Sequence, residues 1–121
     1  MRRSYETLKA WQLAHQLAIE VSVVVRRLSR EERIEVGGQL RRAALSVPTN
    51  LVEGRSGFGP RIYLRHVRIA LSSAAEVDYL LRYAEELGCL QPETAARLAD
   101  LAWKTRGLVY LLAKSLQRKA G

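Results

Sequence analysis

The sequence holds one cysteine, three prolines, one phenylalanine and two histidines in 121 residues. A lone Cys89 excludes an intrachain disulfide and suits a reducing compartment, so the cytoplasm is the expected location. His15 and His66 have no second His or Cys at ligand spacing, and Glu-x-x-His does not occur, so no metal centre is expected. No apolar run reaches the roughly eighteen residues that span a bilayer. The basic start MRRSYETLKAW is not followed by the apolar stretch of a secretory leader. Ser56 in GRSGFG lacks the spacing of a nucleophile elbow, and Gly54, Gly57 and Gly59 do not form a phosphate loop. No cofactor or small-molecule substrate is indicated, and an enzyme is not expected.

Acids are scarce where bases are dense. Lysine plus arginine is 20 against 12 acids, a formal charge of +8. Residues 41–68 carry six arginines and one acid, Glu53, and residues 104–119 carry five bases and no acid. Such an excess favours anionic partners, nucleic acid first.

What remains is dominated by helical periodicity in a chain that is 48% hydrophobic and 26% charged. One domain, 1–121, is expected. Segment one, residues 4–28, has its stripe at Leu8, Trp11, Ala14, Ala18, Val21, Val25 and Leu28. Ser29 and Glu32 match a capping box that opens segment two, residues 30–54. Gly37 and Gly38 weaken its early part by about 1 kcal/mol each, enough to predict fraying or a local break. GRSGFGP is a loop. Segment three, residues 61–87, shows Tyr63, Val67, Ala70, Ala74, Val77, Leu81 and Ala84 on one face and stops at Gly88. Pro92 opens segment four, residues 92–117, with Leu98, Leu101, Thr105, Leu108 and Leu112 inward. Short connections make neighbours antiparallel, so the expected fold is all-α, an up-down-up-down four-helix bundle.

Segment two is unusual. Its core stripe, Leu40, Ala44, Val47 and Leu51, runs in phase through Pro48. A proline inside a helix costs roughly 3 kcal/mol, and Val47 is a poor N-cap for a new helix, so one helix kinked at Pro48 is expected. Ser46, Asn50 and Glu53 form a polar ridge beside that stripe, with Ala43 and Gly54 near Asn50. Such a ridge suits a buried hydrogen-bond site that fixes register or oligomer state. Leu45 and Val52 widen the apolar surface of segment two, as Trp103 and Tyr110 widen that of segment four. Surplus apolar stripes mark a partner surface, and a homo-oligomer is inferred.

The stretch QLRRAALSVPTNLVEG, residues 39–54, resembles the signature of the 23S rRNA intervening-sequence proteins, also called the four-helix bundle protein family. Gln39, Leu40, Arg41, Arg42, Ala43, Ser46, Pro48, Asn50, Glu53 and Gly54 match that signature residue by residue, and Val47 and Leu51 replace its common isoleucines. LKAWQLAHQLA resembles the family's N-terminal block. Residues 63–90 resemble its third helix, including Ser73 and Glu76. The resemblance implies a four-helix bundle that assembles as a homopentamer, often with a basic surface, and for most members no assigned molecular function.

The leading functional reading is a non-enzymatic homo-oligomer that binds RNA or DNA with low sequence specificity. Arg61, Arg65 and Arg68 lie at i, i+4 and i+7 opposite the apolar face of segment three. Arg55, Lys114, Arg118 and Lys119 are further candidate contacts. Arg41 and Arg42, inside the packed motif, are read as structural, and Glu53 and Glu76 as partners for arginine or helix-end groups. The alternative reading is a protein-interaction scaffold docking an acidic or nucleic-acid-handling partner. A helix-turn-helix reader fits poorly with segments this long.

Overall fold

The computed structural model describes residues 3–121; Met1 and Arg2, the first two residues of the basic start, lie outside the described residues. Four long helices form and no strand occurs among the described residues: α1 (Lys9–Arg26), α2 (Gly38–Gly54), α3 (Pro60–Glu86) and α4 (Pro92–Ala120). A 3₁₀ turn, Ser4–Thr7, precedes α1.

Local chemistry accounts for most of the boundaries. Ser29 Oγ accepts from the Glu32 backbone N–H at 3.1 Å and Glu32 Oε1 accepts from the Ser29 N–H at 3.0 Å, a complete capping box. α3 ends where Gly88 adopts φ 87°; the Cys89 N–H then donates to the Ala84 carbonyl at 2.9 Å and the Gly88 N–H to Glu85 at 3.0 Å. That pair of bonds is a Schellman stop, which needs the left-handed conformation that glycine adopts without penalty. Pro60 and Pro92 each stand at the first turn of their helices, where a missing N–H costs nothing.

The expected break at Gly37 and Gly38 takes another form. Arg33–Gly37 is a π-helical turn joining the capped turn Arg30–Glu32 to α2. Gly37 is buried there, and a Cβ on it would sit 3.0 Å from Leu28 Cδ1 and 3.2 Å from Val25 Cγ1. Glycine suits this close approach to the end of α1, and the chain widens its helix rather than leaving it.

The helices meet around two apolar clusters. One gathers Leu17, Val21 and Val25 of α1, Leu40 and Ala44 of α2, Val77 and Leu81 of α3, and Leu98 and Leu101 of α4. The other gathers Ala10 and Ala14, Val47 and Leu51, Leu64 to Ala74, and Val109 to Leu116. The late part of each odd helix therefore shares a cluster with the early part of each even one, so neighbours in sequence run in opposite directions. α2 and α4 both pack against α1 and α3 and lie across the bundle from each other.

Pro48 is buried inside α2, which runs unbroken from Gly38 to Gly54. Leu40, Val47 and Leu51 are each fully buried. At roughly 1.5–3 kcal/mol for each large aliphatic side chain, their burial exceeds the proline penalty of roughly 3 kcal/mol. Keeping the stripe in phase is worth more than the one lost backbone bond.

Candidate nucleic-acid interface

The polar ridge of α2 is satisfied within the chain, by α3. Asn50 Nδ2 donates to the Ser46 carbonyl at 2.9 Å and to Ser46 Oγ at 3.1 Å. Its Oδ1 is therefore the acceptor that faces His66 Nδ1 at 3.0 Å, which puts a proton on Nδ1. Ser73, buried on α3, donates to Ser46 Oγ at 2.8 Å. His66 Nδ1 also lies 3.5 Å from Glu53 Oε2, and Gln39 Nε2 donates to Glu76 Oε2 at 3.2 Å. Gly54 closes the row: a Cβ there would stand 2.8 Å from Tyr63 Cδ1 and 3.0 Å from His66 Cβ. The pairs 39 with 76, 46 with 73, 50 with 66 and 54 with 63 define one antiparallel register. One expectation is corrected here. Glu53 and Glu76 pair with a histidine and a glutamine, not with arginine or helix ends, because Glu53 on α2 meets His66 of α3 and Glu76 on α3 meets Gln39 of α2, and no arginine lies within ion-pair distance of either among the described residues. The close approach that Gly54 permits is to α3 of the same chain.

Arg41 and Arg42 flank this row but are exposed. Packing takes up Leu40, Ala43 and Ala44 and leaves both arginine side chains at the surface. Arg42 Nη1 lies over Gly38, 3.3 Å from where a Cβ would be.

Antiparallel register gathers the other cationic candidates. Arg55 follows α2, Arg61 and Arg65 stand in the first turns of α3, and Lys114, Arg118 and Lys119 occupy the last turns of α4. All six are exposed and lie toward the same end of the bundle. Arg68 follows one turn further along α3. The division between the two apolar clusters also divides the charge. Residues 3–15, 46–75 and 106–121 hold ten Arg and Lys and two acids, Glu6 and Glu53. Residues 16–45 and 76–105 hold nine Arg and Lys and ten acids. One half therefore carries +8 and the other −1, so all of the net positive charge of the described residues sits in one half.

Along that half, Arg61, Arg65 and Arg68 line an open groove of about 530 Å³ on α3 with Leu64, Ile69, Ser72, Ser73 and Glu76. None of the three arginines has an acid within ion-pair distance among the described residues, whereas Arg97 pairs with Glu20, Arg82 with Glu86 and Lys104 with Asp100. Lys114 and Arg118 border a second shallow recess with Gln117.

The surplus apolar residues are also outside the core. Leu45 is 49% exposed, Trp103 67% and Tyr110 50%, and Val52 is half-buried. Trp103, Arg106, Gly107 and Tyr110 of α4 and Leu71 of α3 surround a groove of about 320 Å³, with the Arg106 guanidinium 5.9 Å from the Trp103 ring centre. Sequence reading passed over three features. His66 and Ser73 bond across the α2 and α3 interface, which only their facing partners reveal. Phe58 stands exposed in the loop at the cationic end, and its signal was an aromatic residue between two glycines and two arginines.

No group of His, Cys, Asp and Glu suited to a metal ion occurs among the described residues, and no helix is long and apolar enough to cross a membrane. A family model described as 23S rRNA-intervening sequence protein matches residues 6–110. No curated protein matches the chain. Among solved structures, the chain is similar to a protein with unknown function from the S23 ribosomal protein family of Bacteroides thetaiotaomicron. The TM-score is 0.81 at 17% identity, over 87% of this chain and 95% of that one. Identity that low carries the fold and nothing further.

Proposed function

The chain belongs to the 23S rRNA-intervening sequence protein family, and from that premise we propose a non-enzymatic, self-associating four-helix protein of the cytoplasm whose arginine-rich half binds RNA or DNA with little sequence preference. The observation that carries this reading is the segregation of charge: ten bases against two acids in one half of the bundle. Arg61, Arg65 and Arg68 are exposed there without acidic partners among the described residues. Cations left unpaired along one helix suit a line of phosphates, and phosphate contacts carry no base preference.

Self-association draws support from Leu45 and Val52 on α2 and from Trp103 and Tyr110 on α4. These two faces lie on opposite sides of the bundle and differ in shape. A contact between unlike faces is head-to-tail, and such contacts close into rings when the rotation permits. The count of five rests on the family resemblance. A ring would repeat the cationic half and multiply phosphate contacts.

Fluorescence anisotropy with labelled 20-nucleotide RNA and DNA across a salt series tests the binding. Affinity is expected to fall steeply with salt. Arg61→Glu, Arg65→Glu and Arg68→Glu together are expected to abolish binding at moderate salt. If those three neutralise three phosphates, milder Arg→Gln changes flatten the logarithmic salt slope by about 2 for a single strand. Absence of binding by the unaltered protein at 50 mM salt refutes the reading. Light scattering tests the assembly: a 13.7 kDa species persisting at high concentration refutes self-association.

A further inference from the structure

The loop between α2 and α3 places an aromatic ring in water at the cationic end. Phe58 is 72% exposed and belongs to neither apolar cluster. Burying a phenylalanine is favourable because it takes a large apolar ring out of water, so this fold forgoes that gain at its one phenylalanine. Its neighbours Gly57 and Gly59 have φ of 106° and 94°, where other side chains are strained. A Cβ on either would meet nothing within 4 Å. Arg55 and Arg61 stand three residues before and after the ring, both exposed, and α4 ends at the same end of the bundle with Arg118 and Lys119.

We propose that Phe58 is a stacking finger for an unpaired nucleobase, with Arg55 and Arg61 holding the phosphates on either side; this deepens the nucleic-acid reading and rests on it. An aromatic ring flanked by cations matches the parts that single strands recognise: a π-face for the base and charge for the backbone. The bare glycines leave room for a strand to lie close to the loop. Bases in a duplex are already stacked on each other, so the finger selects single strands, loops or bulges. Because every base has a π-face, selection for strandedness is compatible with little preference for sequence. A bilayer is the poorer occupant. Ser56, Gly57, Gly59 and Pro60 add little apolar area to the single ring, and stable membrane attachment needs more buried apolar surface than one side chain supplies.

The test compares a fluorescein-labelled 20-nucleotide single strand with the 20-base-pair duplex made from it, at 50 mM salt, with Phe58→Ala, Phe58→Leu and Phe58→Trp variants. Phe58 supports no core, so helical content by circular dichroism is expected to stay unchanged. Phe58→Ala and Phe58→Leu are each expected to weaken single-strand binding by roughly 5- to 150-fold, the range for loss of one base stack. Duplex binding is expected to change less than twofold, and Phe58→Trp is expected to retain single-strand binding. Equal losses on both nucleic acids, no loss on the single strand, or full binding by Phe58→Leu each overturn the stacking role while leaving nucleic-acid binding intact. No binding of either probe by the unaltered protein overturns the underlying reading and the finger with it. Sedimentation with vesicles of 70% phosphatidylcholine and 30% phosphatidylserine that depends on Phe58, with single-strand binding unaffected by the variants, assigns the ring to a lipid surface and overturns the proposal.

Discussion

One substitution made at two glycines is expected to move stability in opposite directions. At Gly54 a new Cβ would stand 2.8 Å from Tyr63 Cδ1, 3.0 Å from His66 Cβ and 3.2 Å from the Tyr63 carbonyl. Two of these atoms belong to the rigid base of α3, so the helices must separate. Overpacking of this kind costs about 1–3 kcal/mol. Alanine recovers little through helix propensity, because Gly54 is the last residue of α2. At Gly107, inside α4 and exposed, a Cβ would meet nothing within 4 Å. There alanine removes the backbone freedom of glycine from the unfolded chain and gains about 0.5–1 kcal/mol. At about 2.1 cal/mol/K of unfolding entropy per residue, 1 kcal/mol corresponds to about 4 °C in Tm for a chain of this length. Gly54→Ala is therefore expected to lower Tm by about 4–12 °C and Gly107→Ala to raise it by about 2–4 °C. Thermal unfolding followed by circular dichroism at matched protein concentration measures both, since self-association makes Tm depend on concentration. An unchanged or raised Tm for Gly54→Ala would refute the close contact read at Gly54, and a lowered Tm for Gly107→Ala would refute the open space read there. A stabilised Gly107→Ala protein with weakened association would place the Trp103 groove in the contact between copies.

The polar row between α2 and α3 and the lone thiol make two more expectations. Asn50→Ala removes the acceptor for half-buried His66 Nδ1–H and is expected to cost about 1–3 kcal/mol. A double-mutant cycle with His66→Ala should return a coupling above about 0.5 kcal/mol, and an additive result would mean the hydrogen bond contributes nothing. Burial pushes the Cys89 thiol up, and the carboxylates of Glu32 and Glu35 push it further. A raised pKa leaves less thiolate at a given pH, so alkylation by iodoacetamide should rise at a higher pH than for a small free thiol. A midpoint at or below that of the free thiol contradicts the environment described.

The sequence proved legible where a residue's role depends on neighbours within a few turns. The stripe Leu40, Ala44, Val47 and Leu51 is fully buried; the Ser29 and Glu32 capping box and the Gly88 stop both form. Each follows from helical period or from bonds spanning five residues or fewer. The π-helical turn before α2 was not legible as such. It lies where Gly37 approaches Val25 and Leu28, residues of the preceding helix and its end. The polar ridge was visible as Ser46, Asn50 and Glu53, but its partner was not, because a periodic pattern says that a face is covered and not by what. His66 and Ser73 gain their roles only when α3 is laid against α2 in register.

By itself, then, the chain determined four amphipathic helices, their caps and the family signature of residues 39–54, since these are written in spacing and backbone chemistry. Tertiary structure decided that Asn50 faces His66 of the same chain, and that cations up to 64 residues apart, from Arg55 to Lys119, lie toward one end of the bundle. Charge is additive along a sequence, but the field a partner meets depends on which ends lie side by side, and that is fixed only when antiparallel helices bury their apolar faces together.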